Sequence, residues 1–366
     1  MKVLLVKLSS LGDVVHTFPA LTDAAAAIPG LELDWVVEEA FAPIARLHPA
    51  VRRVIPVPLR RMLRKPLAAA RAGEFARLRT ALRETRYDRI IDAQGLMKSA
   101  AVARLAGGER HGFDRASARE GIAALTYARR HHVPEVEHMA ERIRTLFARA
   151  LGYSTAGRPA SSGLEPARGE GAPYLVFLHG TTWPTKTWTR AGWRDLAALA
   201  GAAGLEVRLF AHGAEEEARA AAIAEGLPQV RLLPPQTLET LAPVIAGAAG
   251  VVGADTGLVH LAAAYGVPTV GLYGPTNPRL TGLFGPRVRE LKAADLAARL
   301  PCAPCEKARC RIAPETAEGP PCLAAISAAE AWAALAALGG ALGGIMDKGR
   351  AGVAHPAPDE PMGSPT

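Results

Sequence analysis

Short apolar runs alternate with longer amphipathic stretches through the first half of the chain. The runs VLLV, ELDWVV, RVIPVP and DRIIDA predict β-strands, and the Ala-rich stretches at 21–27 and 75–86 place apolar residues at helical spacing. Strands that alternate with helices are typical of a parallel sheet covered by helices on both faces. Residues 1–151 therefore predict one doubly wound α/β domain.

The same alternation returns after a Gly/Pro/Ser-rich stretch at 152–173, which predicts a linker. YLVFLH, LEVRLF, VRLL, GVVGA and VPTVGLY are the predicted strands of a second domain at 174–322, with helices at 190–203 and 215–225 between them. An Ala-rich helix in 323–345 is a candidate to return to the N-terminal domain, and 346–366 has the composition of a disordered tail. Two such domains would leave a cleft between the carboxyl ends of their strands.

Length and composition agree with this division. A chain of 366 residues exceeds one ordinary core of roughly 150 residues, and 49% hydrophobic residues suffice for two cores. No apolar run reaches the ~18 uncharged residues of a membrane-spanning helix, and Lys7 and Asp13 interrupt the only stretch resembling a signal peptide. We expect a soluble cytoplasmic protein. The fingerprints G-x-G-x-x-G, G-x-x-x-x-G-K-[ST] and G-x-S-x-G are absent, which disfavours dehydrogenases, P-loop NTPases and α/β-hydrolases.

Positive charge is concentrated in one segment. The net charge is +8, and 52–89 contains twelve Arg or Lys against three acids, with Arg60, Arg61, Arg64 and Lys65 in the densest part. This run is either a solvated helical face or a surface for phosphates, acidic sugars or an anionic membrane leaflet. No helix-turn-helix or zinc-finger pattern accompanies it, so we expect no nucleic acid partner.

Three loops after predicted strands of the second half carry chemistry suited to phosphate. HGTTWPTKTW offers Thr181, Thr182 and Lys186, whose hydroxyl and ammonium groups bind phosphate oxygens. ADTGLVH brings Asp255 before a helix start; this residue is either an N-cap or an acceptor for sugar hydroxyls, and the glycine after Thr256 would let a ligand approach the helix end. GLYGPTNP is the third such loop. No Asp-x-Asp pair is present to hold a divalent metal on a sugar-nucleotide diphosphate.

Asp13 stands where the first predicted strand gives way to a helix, in KLSSLGDVVH. An acid at this position either caps the helix or faces a ligand in the cleft.

Five segments together resemble the lipopolysaccharide heptosyltransferase family: VKLSSLGDVVHTFPALTDA, LDWVVEEAFAPI, IIDAQGLMKSA, FLHGTTWPTKTW and ADTGLVHLAAAYGVPTVGLYGPTNP. The resemblance covers the chain from Met1 to about Gly285. It implies a GT-B fold of two Rossmann-like domains facing across a cleft. It also implies inverting transfer of L-glycero-D-manno-heptose from ADP-heptose to a Kdo residue of Kdo2-lipid A, without a required cofactor, in peripheral contact with the anionic cytoplasmic face of the inner membrane.

The same resemblance implies residue roles. Asp13 is the catalytic base. The donor-binding residues are Thr181, Thr182, Lys186, Glu216, Asp255, Thr256, Gly257 and His260. The acceptor-binding residues are Arg60, Arg61, Arg64, Lys65 and Lys98. Three alternatives stay open: addition of a second heptose, a GT-B-type sugar-nucleotide epimerase, and a binding protein without turnover.

Four cysteines form a C-x2-C-x4-C-x11-C pattern, Cys302, Cys305, Cys310 and Cys322. Thiolates at C-x-x-C spacing favour a tetrahedral metal such as zinc, and the alternative is unpaired, partly buried thiols. Nothing in the pattern connects a structural zinc with catalysis.

Overall fold

The computed structural model describes residues 1–165, 167, 171–293, 295, 300, 302–312 and 319–339. Two six-stranded sheets form the centres of two α/β domains, and every strand pairing is parallel. The N-terminal sheet has the order β3-β2-β1-β4-β5-β6 and the C-terminal sheet β12-β11-β10-β7-β8-β9. The strands are Lys2–Val6 (β1), Glu32–Glu38 (β2), Val51–Val57 (β3), Arg89–Asp92 (β4), Glu109–Phe113 (β5), Arg129–His131 (β6), Tyr174–Leu178 (β7), Glu206–Leu209 (β8), Val230–Leu232 (β9), Gly250–Ala254 (β10), Thr269–Tyr273 (β11) and Val288–Lys292 (β12).

Helices connect the strands and cover both faces of each sheet. They are Leu11–Val15 (α1), Phe18–Ala27 (α2), Ala42–Ala45 (α3), Leu59–Arg64 (α4), Pro66–Arg71 (α5), Glu74–Arg83 (α6), Met97–Leu105 (α7), Met139–Leu151 (α8), Arg190–Ala202 (α9), Ala214–Ala224 (α10), Leu238–Ala246 (α11), Gly257–Ala264 (α12), Pro278–Thr281 (α13), Pro321–Ala324 (α14) and Ala328–Ala337 (α15). Short 3-10 helices lie at Glu39–Phe41, Gly121–Thr126 and Pro184–Lys186. Within the described residues, no helix is both long and apolar enough to cross a bilayer.

The central strands are the ones that the apolar runs predict. All residues of β7, β10 and β11 are buried, as are Val3–Val6 of β1. A parallel strand with helices on both faces has no water-facing side, so its sequence is continuously apolar. This is why runs such as VLLV and GVVGA identify their strands directly.

Three strands escape the sequence prediction because their residues are polar. ERHGF forms β5, RRH forms β6 and VRELK forms β12. β6 and β12 are edge strands, where one side faces solvent and apolar residues are not needed. None of these three segments is among the strands predicted from the sequence.

The C-terminal helix packs differently from expectation. α15 lies against α9 and the C-terminal sheet, and Ala331, Trp332 and Leu335 share a core cluster with Leu175 and Trp193. The expected return of this helix to the N-terminal domain is wrong, because its apolar face is buried in the second domain. The predicted tail 346–366, and the end of the predicted helix segment at 340–345, lie outside the described residues.

Candidate active site

The sheet registers bring the predicted loops together at the carboxyl edges of the two sheets. Val6 at the end of β1 pairs with Asp92 at the end of β4. In the second domain Ala254 at the end of β10 pairs with Leu272 of β11, and Gly253 pairs with Leu178 at the end of β7. The loops after β7, β10 and β11 are therefore neighbours, as the sequence predicts.

Asp13 lies on α1, the short helix after β1, and it is not the N-cap. Ser10 is the N-cap, and its backbone N–H and hydroxyl donate to Asp13 Oδ2 at 2.8 and 3.0 Å. The other oxygen, Oδ1, lies 3.5 Å from Lys7 Nζ. Burial acts to raise the pKa of Asp13, but the charge of Lys7 and the hydrogen bonds from Ser10 hold it below its ordinary value. The carboxyl group is thus ionised at neutral pH and keeps 23% of its side-chain surface exposed.

The loop before Asp13 is fixed by the loop after β4. Gln94 Oε1 accepts from the amides of Leu8 and Ser9 at 2.7 and 3.2 Å, and Gln94 Nε2 donates to Ser9 O at 2.7 Å. Lys7 Nζ donates to Ala93 O at 3.1 Å. The loop after β4 therefore holds in place the segment that leads into α1 and Asp13.

Asp255 connects the loops after β7, β10 and β11, which we call the donor loops. Its Oδ2 accepts from Lys186 Nζ and from Thr276 Oγ1, both at 2.7 Å, and its Oδ1 lies 3.1 Å from His260 Nε2. Burial disfavours the charged form, but His260 and Lys186 outweigh it and hold the pKa of Asp255 far below its ordinary range. The cap alternative is wrong, because Thr256 is the N-cap. The carboxylate already accepts from three protein donors, and its further role as an acceptor for sugar hydroxyls stays a prediction.

Lys186 connects the loop after β7 to the loop after β10. Its ammonium group donates to the carboxylate and also to the carbonyl oxygen of Asp255, at 2.7 and 3.2 Å, and lies 4.8 Å from the ring centroid of Trp183. An ammonium group carries three protons. With two donated to Asp255, one remains for an anionic ligand.

The remaining residues of the loop after β7 surround Gly180. A Cβ on Gly180 would lie 2.7 Å from the carboxyl group of Glu216, whose Oε2 accepts from His212 N–H at 2.9 Å. α10 thereby brings Glu216 beside the Thr181–Thr182 turn. Thr181 is partly buried and Thr182 is exposed.

Gly257 serves a different purpose from the one predicted. A Cβ at this position would lie 2.5 Å from Cβ and Cγ of Leu11, so the N-terminal domain occupies the space expected for a ligand. α1 and α12 are therefore in direct contact, and the helix carrying Asp13 abuts the helix that follows Asp255. Next to this contact, Thr256 Oγ1 is buried without a partner among the described residues.

Three histidines join the two domains beside this contact. His16 Nε2 and His138 Nε2, both from the N-terminal domain, lie 3.2 and 3.1 Å from the same acceptor, Gly282 O. The ring of His16 is also 4.6 Å from that of His260, centroid to centroid. Burial and the two neighbouring imidazoles lower the pKa of His16 well below its ordinary value, so His16 is a neutral donor to Gly282 O. Sequence reasoning missed His16, His138 and Thr276, although His16 and Thr276 lie inside the quoted motifs.

The predicted acceptor residues lie along one side of the N-terminal domain. Arg60 N–H donates to Glu38 Oε1 at 3.2 Å, and Lys98 is close enough to act on the pKa of Glu38. Arg61 is engaged by Glu74, with Nη1 2.6 Å from Oε1. Arg64 and Lys65 are exposed. The structure thus brings Arg60 and Lys98 to one carboxylate and leaves Arg64 and Lys65 facing solvent.

The four cysteines line one cavity of about 150 Å³. Burial raises the pKa of the Cys322 thiol to about 11. Among the described residues, no three Cys, His, Asp or Glu side chains are grouped so that they could hold a metal ion, and the structural zinc stays a prediction. The cysteine segment instead supports the donor loops: Thr185 Oγ1 donates to Lys307 O at 2.7 Å, and Asn277 N–H donates to Glu306 Oε1 at 2.7 Å.

Comparison with known proteins agrees with this geometry. The model of glycosyltransferase family 9 (heptosyltransferase) matches residues 75–315. Lipopolysaccharide heptosyltransferase 1 of Pseudomonas aeruginosa is 50% identical over 319 residues, which are 86% of this chain and 88% of that protein. Lipopolysaccharide heptosyltransferase 2 of Escherichia coli is 28% identical over 314 residues, 80% of this chain and 88% of that protein.

Solved structures confirm the expected GT-B architecture. The structure titled E. coli heptosyltransferase WaaC with ADP superposes with a TM-score of 0.73 at 46% identity and covers 79% of this chain and 92% of that one. Likeness to heptosyltransferase 1 exceeds likeness to heptosyltransferase 2, and the family match favours a glycosyltransferase over the epimerase and over the binding protein without turnover. The chain belongs to glycosyltransferase family 9, the heptosyltransferases.

Proposed function

We propose that this enzyme transfers L-glycero-D-manno-heptose from ADP-heptose to a Kdo residue of Kdo2-lipid A, with inversion at the anomeric carbon and without a metal cofactor. The observation that carries the proposal is the contact between α1 and α12. It brings the ionised Asp13 of one domain next to the Lys186–Asp255–His260 group of the other. The 50% identity to a heptosyltransferase 1 supports Kdo as the acceptor.

In the proposed reaction, Asp13 accepts the proton of an acceptor hydroxyl while the hydroxyl oxygen attacks the anomeric carbon. The bond from that carbon to the diphosphate oxygen breaks, and its electron pair leaves with ADP. Asp13 becomes neutral as ADP gains one negative charge. Inversion requires the hydroxyl to attack from the face opposite the leaving group, so the base must act from that face. The lowered pKa of Asp13 keeps its carboxyl group ionised at neutral pH, which is the form that can accept a proton.

The donor diphosphate would lie against the loops after β7 and β10. Lys186 has a proton to donate, Thr181 and Thr182 contribute hydroxyls, and Thr256 Oγ1 lacks a partner among the described residues. Such groups stabilise the charge that develops on ADP as the bond breaks. Asp255, which His260 contacts in turn, also holds Lys186 in place.

A lipid acceptor implies that the enzyme works at a membrane surface. We propose that the enzyme works peripherally at the cytoplasmic face of the inner membrane, where the basic residues Arg60, Arg64 and Lys65 meet the acceptor's carboxylates and phosphates. Their exposure and positive charge support this arrangement.

The test is product mass with defined acceptors. The purified protein is incubated with ADP-heptose and Kdo2-lipid A, with the same acceptor already carrying one heptose, and without acceptor. We expect one heptose to be added only to Kdo2-lipid A. Addition only to the heptose-bearing acceptor would assign the second transfer in the pathway instead, and no addition to either acceptor would overturn the proposal.

A further inference from the structure

Trp183 and Lys186 lie on the same side of one short turn in the loop after β7. The segment 183–186, WPTK, forms a 3-10 turn in which Lys186 N–H donates to Trp183 O at 2.9 Å. A 3-10 helix has three residues per turn, so the side chains of its first and fourth residues point the same way. The Lys186 ammonium group therefore lies over the indole of Trp183, 4.8 Å from the ring centroid.

Contacts on both sides fix this turn. Pro184 occupies its first position, where the fixed φ of proline suits a helical turn and no needed backbone donor is lost. Thr181 Oγ1 accepts from Trp183 N–H at 3.3 Å, and Thr185 Oγ1 donates to Lys307 O at 2.7 Å. The indole is therefore held beside the ammonium group before any ligand binds.

Trp183 also differs in exposure from the other four tryptophans of the chain. Those four are at most 9% exposed, whereas Trp183 is only half-buried; they are Trp35, Trp188, Trp193 and Trp332. Trp183 is thus the tryptophan that a ligand on the loop after β7 can cover, and the one whose fluorescence can report that ligand.

The position of the ring gives it an electrostatic role. Asp255 draws the Lys186 ammonium group to one side and takes two of its three protons. The negative face of the indole attracts the same charge from a second side and excludes water from part of it. The third N–H is thereby kept in one direction. Since ADP carries one more negative charge than the diphosphate of the donor, a cation held in this way stabilises ADP more than it stabilises the donor.

We propose that Trp183 is a positioning residue for the transfer: its indole holds the Lys186 ammonium group by a cation–π contact, so that the cation meets the diphosphate as negative charge develops there. This inference rests on the proposed function for the identity of the leaving group, ADP. It does not depend on the acceptor.

Replacement of the ring tests the proposal. Trp183→Phe keeps an aromatic face, and Trp183→Leu keeps an apolar side chain without one. We expect calorimetric ADP affinity, and kcat at saturating donor, to fall about three- to tenfold in Trp183→Leu and by a smaller factor in Trp183→Phe, with the donor KM changed less. Equal losses in the two variants, or no loss in either, would overturn the proposal.

Phe75→Leu is the matched control for loss of an aromatic ring. Phe75 is 38% exposed on α6 of the other domain, so its replacement should leave ADP affinity unchanged. A loss in this control as large as that in Trp183→Leu would contradict a specific role for Trp183.

A double-mutant cycle separates positioning of Lys186 from a structural role. In a Lys186→Ala background, Trp183→Leu should lower ADP affinity by less than about twofold, because the cation that the ring holds is gone. The same loss in both backgrounds would show that Trp183 acts independently of Lys186 and would overturn the proposal.

Fluorescence tests whether the ring lies at the ligand. ADP should reduce acrylamide quenching of the unmodified protein, and Trp183→Phe should lack this change because its remaining tryptophans are buried. Absence of protection by ADP in the unmodified protein would overturn the placement of Trp183. These binding measurements need neither heptose nor acceptor, so they decide the inference even where failed transfer to Kdo2-lipid A overturns the proposed function.

Discussion

Lys186 and Asp255 form an ion pair between two donor-side loops, with Nζ 2.7 Å from Oδ2. Asp255 is 6% exposed and its second oxygen is held by His260, so the pair fixes the ammonium group in one position. The cation is therefore already placed when a diphosphate arrives, and its remaining proton is the one available to the ligand. Preorganisation of this kind stabilises charge that develops during the reaction.

We expect Lys186→Ala to lower the rate at saturating donor by at least ~10²-fold, since it removes a donor to the leaving ADP. The measurement is ADP release with kcat and KM determined separately. Lys307→Ala is the matched control, because Lys307 supports the donor loop through its carbonyl oxygen and its side chain is exposed. A rise in the donor KM with unchanged kcat would show that Lys186 binds ground state and transition state equally.

Gly257→Ala should separate the domains at the α1–α12 contact. The added methyl group would meet Cβ and Cγ of Leu11 at 2.5 Å, so α1 must shift and carry Asp13 away from the donor loops. We expect a transfer rate at least ~10-fold lower, because small misplacement of a catalytic group costs up to about 10²-fold, with calorimetric ADP affinity changed less. Gly107→Ala is the control, since no atom lies within 4 Å of the added carbon. Leu11→Gly combined with Gly257→Ala should restore part of the rate, and no restoration would contradict the steric explanation.

Much of this fold is readable from sequence, and the reason is burial. The central strands must be apolar on both faces, so VLLV, YLVFL and GVVGA are recognisable without any partner information. The edge strands β6 and β12 carry polar residues and owe their extended conformation to pairing with a neighbour, which no local pattern encodes.

The features of the site also differ in whether the sequence predicts them. The loops containing Asp13, Lys186 and Asp255 follow recognisable strands and carry uncommon polar residues, so sequence identifies them. The Gly282 carbonyl, which accepts from His138 across 144 residues of chain, is backbone and leaves no side-chain signal. The occupation of Asp255 by three protein donors likewise depends on how separate loops meet, which only the folded geometry reveals.

Buried neutral histidines predict that acid destabilises the fold. Burial lowers the pKa of His48 and of His179 to about 4, and each is 1% exposed. In the unfolded chain both titrate near 6.5, so the stability they contribute is complete above that pH and is lost as pH falls toward 4. Each histidine then changes the free energy of unfolding by about 1.4 kcal/mol per pH unit.

Carboxyl groups with raised pKa, such as the buried Asp92, act in the opposite direction, so a variant must isolate the histidine effect. Urea unfolding between pH 6 and 4.5 should show a slope lower by about 1.4 kcal/mol per pH unit for His179→Gln than for the unmodified protein. Equal slopes for His179→Gln and the unmodified protein would contradict the assignment.

Turnover should survive excess EDTA. The proposed mechanism offsets the diphosphate charge with Lys186 and loop hydroxyls, and the sequence lacks the Asp-x-Asp pair that would hold a divalent ion. ADP release measured before and after chelation checks this expectation. Loss of activity that magnesium or manganese restores would reject the mechanism, and restoration by zinc alone would assign a metal to the four cysteines.

The substitution Asp13→Asn distinguishes a catalytic base from a residue that only caps helix α1. The amide oxygen of Asn can still accept from the Ser10 N–H and hydroxyl, so the capping contacts of α1 survive. Lys7 loses its ionic partner but keeps its bond to Ala93 O. We therefore expect little change in melting temperature or in ADP affinity measured by calorimetry.

The transfer rate should respond quite differently. An amide cannot take the proton of the attacking hydroxyl, and a positioned base contributes ~10²–10⁴-fold, so we expect kcat to fall by at least ~10²-fold. Asp23→Asn is the reverse control: Asp23 forms a buried pair with Arg144 at 2.6 Å, and its loss should lower stability. Near-normal transfer by a folded Asp13→Asn protein would leave Asp13 with only its capping role, because an intact Ser10 contact would then account for everything this residue does.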